Sequence, residues 1–503
     1  MTDTWTILLT LLIGVLIIWH YTCRNLNYFK DRGIPHVSPL PLFGNMARIV
    51  FRYKSFREGI HEIYNFNQDA KYIGFFDFGS PVVIMRDLEL IKTVTSKSFD
   101  NFPDHKMLAD EVPDEIFTKN LFALKGQQWK DMRTLLSPSF TSSKMKTLFK
   151  LIKESTSNLI DNLKARSSES TEFAMRDVLT RHTNDVIMTS AFGLSVDSLK
   201  DKNNDFFTTG QEATNFSGAR SVKFFLLRIF PTLSRLMNVR LWSDKTVKFY
   251  KDIVKTTIAV RDAKGIVRPD MLQLMMQARD GSKTVKLTND DMTAHAFIFY
   301  FGGFDTTSLL MCFAVHEVAV NPEVHEKLQA EVDEVLEKCG GDVTYEALHA
   351  MSYLDNVVNE TLRLHAPAPM VDRLCSQPFE LPPAQPGLKP FLVEPGMILW
   401  LPIDAIQRDP KYWEDPEKFD PDRFGEKRKS NFDPATFIPF GIGPRACIGN
   451  RFALMETKLA IFELLANFNI TACSKTIDPI RLSRASFVAY IEGGAWLNLE
   501  PRN

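Results

Sequence analysis

The chain carries no surplus of charge. Sixty lysines and arginines stand against 61 aspartates and glutamates in 503 residues. A protein that grips a nucleic-acid backbone needs a basic excess, so that class drops out first. Six cysteines, Cys23, Cys312, Cys339, Cys375, Cys447 and Cys473, form no C-x-x-C pair and no His/Cys cluster at zinc spacing. They read as reduced thiols and not as a disulfide framework. Internal repeats, low-complexity stretches and Ser/Gly-rich tethers are missing, so nothing divides the chain, although its length alone suggests about three domains. An alternating strand–helix rhythm is missing as well, which argues against a doubly wound sheet.

What is present begins with an apolar run. Thr4 to Cys23 holds 20 residues without a charge, about 30 Å of helix and one bilayer core. Trp5, Trp19 and Tyr21 lie near its ends, as interfacial aromatics do. A cleaved signal peptide is the competing reading, opposed by the length of the run and by the lack of a small-x-small cleavage site. Asp3 precedes the run while Arg24, Lys30 and Arg32 follow it, which predicts one anchor with a cytosolic body.

Gly33 to Gly44 is a stiff proline-rich connector that cannot be helix. A hairpin is predicted next, with Tyr72–Phe78 as one strand, a turn at Gly79-Ser80-Pro81, and Val82–Met85 as the other. Helix dominates from about residue 85 to 365. Short strands such as Met397–Leu401 and a late hairpin around Gly493-Gly494 follow, giving a mainly α chain with small β-sheets. Thirty-nine phenylalanines fit a large apolar interior. Ser217 to Ser243 carries Arg220, Lys223, Arg228, Arg235 and Arg240 without an acid, interleaved with apolar residues. It reads equally as a membrane-interface segment or as an ordinary amphipathic helix.

The densest stretch is Phe437 to Arg451, with three glycines, two prolines, two arginines and Cys447 in one loop. An apolar helical run follows at once from Phe452. Glycine and proline at this density predict a rigid loop whose backbone approaches something closely. A helix N-terminus favours thiolate over thiol, so Cys447 is placed to hold a metal cofactor. Gly441 to Ala446 formally matches G-x-G-x-x-A, but Pro444 removes a backbone donor and no βαβ unit surrounds it.

A long helix is predicted from Thr288 to Val320, opened by a Thr288/Asp291 capping box and stopped by Asn321-Pro322. Its middle holds Gly302, Gly303, Asp305 and Thr306. Interior glycines cost about 1 kcal/mol each against alanine. Either they admit a flat cofactor beside a proton-delivering acid–alcohol pair, or the helix is a kinked core helix with its Asp-Thr facing outward. Glu360 and Arg363 share a helical face at i,i+3, Arg373 and Arg423 stand in the extended segments beyond, and Trp129 and Arg133 at i,i+4 suit a carboxylate.

Together these motifs resemble the cytochrome P-450 family of heme-thiolate monooxygenases, over nearly the whole chain. F-x-x-G-x-R-x-C-x-G is met in full by Phe440, Gly443, Arg445, Cys447 and Gly449. Gly302 to Thr307 matches the oxygen-activation stretch, Glu360 to Arg363 the E-x-x-R pair, and Trp129 to Arg133 the W-x-x-x-R motif. Pro421 to Phe424 resembles P-E-R-F with Asp422 in place of glutamate. Insect microsomal members are the most similar.

The resemblance implies an anchor over residues 4–23, a connector over 24–44 and one catalytic domain over 45–503. It implies heme with Cys447 as axial ligand, Phe440 packed beside the sulfur, and Gly443 and Gly449 letting the loop approach the porphyrin. Trp129, Arg133, Arg373 and Arg445, with His105 as a fifth, would hold the propionates. Glu360, Arg363 and Arg423 would form a buried charged cluster, and Asp305 with Thr306 would relay protons. Phe122, Phe304, Thr307, Ala368, Pro369 and Phe487 to Ala489 are the implied pocket walls; core packing explains most of them equally well. No flavin or nicotinamide domain is visible, so NADPH would act through a separate cytochrome P-450 reductase, which Lys130, Lys144, Lys146 and Lys427 to Lys429 could meet as well as they could be ordinary solvated charges. The expected reaction inserts one atom of O2 into an apolar substrate at the endoplasmic reticulum membrane. A heme-thiolate isomerase or dehydratase, needing no external electrons, is the rival that the retained Asp305-Thr306 pair opposes; a noncatalytic membrane protein is the other.

Overall fold

The structure is a computed structural model that describes every residue except Met1, 107–113, Ser217, 282–286, 429–431, Ala485, Phe487 and Asn503. Its longer helices are α1 (Thr2–Cys23), α2 (Phe56–Tyr64), α3 (Gly126–Leu136), α4 (Ser142–Ser167), α5 (Met175–Ile187), α6 (Asp205–Thr214), α7 (Ala219–Ile229), α8 (Asp244–Lys264), α9 (Met271–Gly281), α10 (Asn289–Val320), α11 (Pro322–Lys338), α12 (Ser352–Leu364) and α13 (Asn450–Asn467). The strands are β1 (Tyr72–Asp77), β2 (Ser80–Met85), β3 (Glu172–Ala174), β4 (Val371–Leu374), β5 (Phe379–Leu381), β6 (Phe391–Val393), β7 (Ile398–Leu401), β8 (Phe468–Ala472) and β9 (Trp496–Pro501). They form sheets ordered β1-β2-β7-β4, β3-β9-β8 and β5-β6. The mainly α reading with small sheets holds.

Helix α1 is apolar all round and almost wholly exposed, including Trp5, Leu11, Ile17 and Trp19. No other described part of the protein covers it. Its end does dock: Tyr21 stacks on Phe230 at 6.2 Å, and Asn25 Nδ2 donates to the Gly79 carbonyl at 3.3 Å. A single short helix, Tyr28–Asp31, precedes the extended connector and buries Phe29. The connector then runs along β1, with His36 bridged to Gly74 and Gly44 to Asp77.

The first hairpin turns earlier than the sequence predicts. Asp77 pairs with Ser80, so the turn is Phe78-Gly79, and Ser80 and Pro81 belong to β2. Phe78 adopts φ 54° to close this two-residue turn. Pro81 is tolerated because β2 pairs with β7 only from Val82 onward, so its missing N–H costs no ladder bond there. β3 interrupts the stretch expected to be helical. Gly493 and Gly494, with φ 72° and 91°, lead the chain into β9 and do not form a hairpin tip. The late hairpin lies just before them, with Leu482 opposite Ile491.

Helix α10 threads the core against α5, α6, α8, α12 and α13. The capping box closes its start: Asp291 N donates to Thr288 Oγ1 at 3.1 Å and Thr288 N to Asp291 Oδ2 at 2.9 Å. Pro322 opens α11 instead of continuing α10. The basic segment divides into α7 and the short helix Pro231–Leu236. Arg228 pairs with Asp77 and Arg240 with Asp244, while Val222, Leu226, Leu233, Leu236 and Met237 stay exposed. The segment is thus helical, with one face paired to the body and several apolar residues exposed.

Gly44 has φ 56°, and a Cβ there would overlap the carbonyl oxygens of Phe76 and Phe78. Gly33 has φ 65° with open space around it. Gly33→Ala is expected to cost about 1–2 kcal/mol of backbone strain, and Gly44→Ala about 1–3 kcal/mol more. Denaturant unfolding of both variants measures the gap; equal losses would mean that overlap contributes nothing.

Candidate functional site

Helix α12 delivers Glu360 and Arg363 to the interior, both 0% exposed. Arg363 grips the carboxylate through Nε at 2.7 Å and Nη2 at 2.8 Å, and Arg423 Nε adds a bond at 3.3 Å. The remaining Arg363 donors go to the carbonyls of Gln407, Pro416 and Lys418. Burial raises the Glu360 carboxyl above its usual range, against the pull of Arg363, the Asp420 N–H and Arg423. An exposed i,i+3 pair is worth only tenths of a kcal/mol, whereas removing one partner of a buried pair costs about 3–5 kcal/mol.

Gln407 carries this anchorage to the cysteine loop. Its Nε2 donates to the Leu362 and Arg363 carbonyls, and its Oε1 accepts from Ile438 N at 3.0 Å. Within the loop, Cys447 N donates to the Phe440 carbonyl at 2.8 Å. Gly443 has φ 80°, and a Cβ there would overlap the Thr95 carbonyl oxygen. A side chain at Gly443 is therefore excluded by the protein's own backbone. A Cβ added to Gly449 would lie 3.9 Å from the Phe140 ring, ordinary contact, and Gly449 is the N-cap of α13. Cys447 is a free, exposed thiol, yet dense protein around it pushes its pKa up, against the Gly449 N–H and the Arg133 charge. The helix N-terminus opposes a burial cost that it does not overcome.

Arg445 is buried with its guanidinium 4.0 Å over the Trp129 ring. It donates to Pro103 O, Asp104 Oδ1 and Leu124 O at 2.7–2.8 Å. Asp104 also accepts from Gly126 N, fixing the start of α3, which carries Trp129 and Arg133. Arg373 on β4 donates to the carbonyls of Asp372 and Ile442. Burial lowers both arginines to about 10, so they remain charged at neutral pH. One buried donor on each, Arg373 Nε and Arg445 Nη1, has no partner among the described residues. His105 has its Nδ1 occupied by Asp372, 2.9 Å from Oδ1, and stacks on Phe122.

On α10, Gly302 and Thr306 are exposed in the middle of a buried helix, beside half-buried Ile298 and Phe299. A Cβ on Gly302 would meet nothing, whereas one on Gly303 would lie 2.9 Å from Ile187 Cδ1. The two glycines therefore have different tasks: Gly302 leaves a face open and Gly303 lets α5 pack. Phe140 packs against Phe299 of this face at 5.7 Å, and a Cβ added to Gly449, two residues after Cys447, would lie 3.9 Å from the Phe140 ring, so one aromatic side chain stands near both stretches. Thr306 Oγ1 donates to Gly302 O at 2.6 Å. Asp305 is buried beside it and accepts from Tyr490 Oη at 3.1 Å.

Other expected residues are scattered more widely. Phe304 packs against Tyr300 and Phe207 in the core, and Thr307 is buried. Phe122, Ala368 and Pro369 are half-buried, while Phe487 lies outside the described residues. Lys130 pairs with Asp100 and Lys146 with Glu346, Lys427 is exposed, and Lys429 is outside the described residues. Asp422 pairs with Lys327 at the surface, so its exchange for glutamate leaves the Arg423 contact intact. Asp104, Gln407, Phe140 and Tyr490 carry the site's geometry without any local motif to mark them.

The donor set suits a planar metal-bearing group with acidic arms. It offers an accessible thiol, an open glycine step opposite, and two buried arginine donors left unpaired; heme fits it. A family model described as Cytochrome P450 matches residues 35–496. "Cytochrome P450 9e2" of Blattella germanica is 44% identical over 527 residues, covering 99% of this chain and 98% of that one. "Probable cytochrome P450 9f2" of Drosophila melanogaster is 36% identical over 517 residues, covering 99% and 100%. "Cytochrome P450 6j1" of Blattella germanica is 33% identical over 486 residues, covering 97% and 96%.

Two glycine variants separate space from packing. Gly302→Ala is expected to leave thermal unfolding unchanged or improve stability by up to about 1 kcal/mol, while reducing heme retention because its methyl enters the open face. Gly443→Ala is expected to destabilise by at least about 1–3 kcal/mol. Equal destabilisation in the two would remove the distinction.

Proposed function

The chain belongs to the cytochrome P450 family of heme monooxygenases, and on that premise we propose that it inserts one atom of dioxygen into an apolar small molecule. Its electrons come from NADPH through a separate flavoprotein reductase, which makes it a monooxygenase acting on paired donors. The observation that carries this reading is an accessible Cys447 thiol together with a Gly302–Thr306 face of α10 that the described residues leave open. Bound heme supplies the iron at which dioxygen is reduced and cleaved, with the thiolate donating electron density.

The residues divide that work. Cys447 ligates the iron, and Phe440 holds the loop by accepting from Cys447 N. Arg373 and Arg445 present their unpaired donors to the carboxylate arms, assisted by Trp129 and Arg133. Glu360, Arg363 and Arg423 keep the loop at its height. Thr306 and Asp305 pass protons on the opposite side, the threonine by giving up its bond to Gly302 O. Phe117, Phe216 and Phe301 meet at 6.2 Å on the same side of α10 as Trp242, an aromatic wall suited to an apolar substrate.

Exposed α1, with the exposed apolar residues of α7 and the short helix after it, supports attachment to a membrane. Charge flanking α1 supports a body on the cytosolic side of the endoplasmic reticulum. Oxidation of foreign compounds or of lipids fits such a membrane-fed apolar site.

Reduction of the purified protein under carbon monoxide is expected to give the strongly red-shifted Soret band of a thiolate-ligated ferrous complex, lost in Cys447→Ser. A parent protein without that shift would sink the ligand assignment. With reductase present, Thr306→Ala is expected to raise peroxide released per NADPH by roughly tenfold or more; an unchanged ratio would remove the threonine from the proton path.

A further inference from the structure

Both members of the acid–alcohol pair are engaged elsewhere in this structure. Thr306 Oγ1 is bonded to Gly302 O on its own helix. Asp305, only 7% exposed, has its carboxylate turned to Tyr490 Oη at 3.1 Å. Tyr490 does not come from the helical core. It sits at the base of the late hairpin, where Ser483 N donates to the Tyr490 carbonyl at 2.8 Å and Leu482 bridges Ile491. The same hairpin carries Val488 and Ala489, and Ala489 is one of the candidate substrate walls.

A third group fixes this contact. The Arg176 guanidinium lies 3.3 Å from the centre of the Tyr490 ring. Arg176 is the second residue of α5, where a cation meets the positive end of the helix dipole and is disfavoured. Its position is explained by what it faces: the tyrosine ring and, behind it, the Asp305 charge, which Arg176 favours. The Thr214 hydroxyl from α6 also favours that charge against burial.

Resting on the monooxygenase reading above, we propose that Tyr490 is a positioning residue for the proton path. Its hydroxyl holds the Asp305 carboxylate away from Thr306 and ties the acid's orientation to the late hairpin. Tyr490 acts through Asp305 and touches neither substrate nor cofactor. Loss of the Tyr490 hydrogen bond would free the acid to turn toward Thr306.

Tyr490→Phe isolates the hydroxyl, because the ring that Arg176 covers is kept. The parent, Tyr490→Phe, Asp305→Asn and the double variant are prepared as holoenzyme. First, the carboxyl infrared band of Asp305 is assigned by its loss in Asp305→Asn; Tyr490→Phe is expected to shift it, and an unshifted band overturns the proposal. Second, peroxide per NADPH is measured with reductase and no added substrate. Loss of one hydrogen bond changes the ratio of acid orientations by on the order of fivefold. Tyr490→Phe is thus expected to lower the peroxide share by about that factor when Asp305 is present, and to change nothing in the Asp305→Asn background. The same change in both backgrounds overturns the proposal, since the tyrosine would then act by another route. A parent that, with reductase, consumes no NADPH in the presence of any of a panel of apolar substrates would fell the monooxygenase reading, while the infrared shift would still decide whether Tyr490 holds the acid.

Discussion

The structure depends on a carboxylate that cannot be left alone. Glu360 lies where no water reaches it, and an isolated charge there would be prohibitive. Arg363 and Arg423 make the burial tolerable, but a buried guanidinium brings N–H groups of its own that need acceptors. Arg363 finds them on Gln407, Pro416 and Lys418, which pins the proline-rich loops after β7 to α12. Gln407, held in this way, receives Ile438 N at the head of the cysteine loop. Hydrogen-bond satisfaction thus propagates from one acid to the position of Cys447, and no step in the chain is optional.

The opposite wall is set by a different constraint, the spacing of side chains on one helix. Along α10 most residues are buried, 21 of 32, so the core packs most of its circumference. Gly302 and Thr306, one turn apart, fall on the open side. Gly303 and Phe304 face α5 and α6. An insertion or deletion that shifted this register by one residue would replace Gly302 and Thr306 on the open side by Phe301 and Asp305 or by Gly303 and Thr307. Two adjacent glycines achieve the division because one removes a side chain from the cavity and the other removes it from a helix contact.

Much of this is legible in the chain before it folds. The Thr288 capping box, the Asn321-Pro322 stop, the Glu360/Arg363 spacing and the cysteine loop are local patterns with local causes. The misses share one feature: their causes are distant in sequence. The hairpin turn moved to Phe78-Gly79 because the register of β2 against β7 decides where Pro81 is tolerated. Nothing near Gly443 in sequence announces that the Thr95 carbonyl, from far earlier in the chain, leaves no room for a side chain there. His105 carried no sign that Asp372 would occupy its Nδ1. Phe304 lies in the right motif, yet it turns into the Tyr300 cluster because its helical angle places it there. Asp104, Gln407 and Tyr490 are ordinary residues in ordinary stretches, and only tertiary contact gives them a part.

The arginines show why such contacts matter to binding. A long flexible cation that had to be ordered by its ligand would lose rotamer freedom at the moment of binding. Arg373 and Arg445 are already ordered by carbonyls, by Asp104 and by the Trp129 ring. Each keeps one buried N–H without a partner among the described residues, so a carboxylate arriving there gains a charge-assisted bond without ordering the donor. The unpaired donor is costly while it waits, and the surrounding bonds are what hold it in place. Affinity for an anionic arm is therefore prepared by the protein's own fold, through residues that never touch the arm themselves.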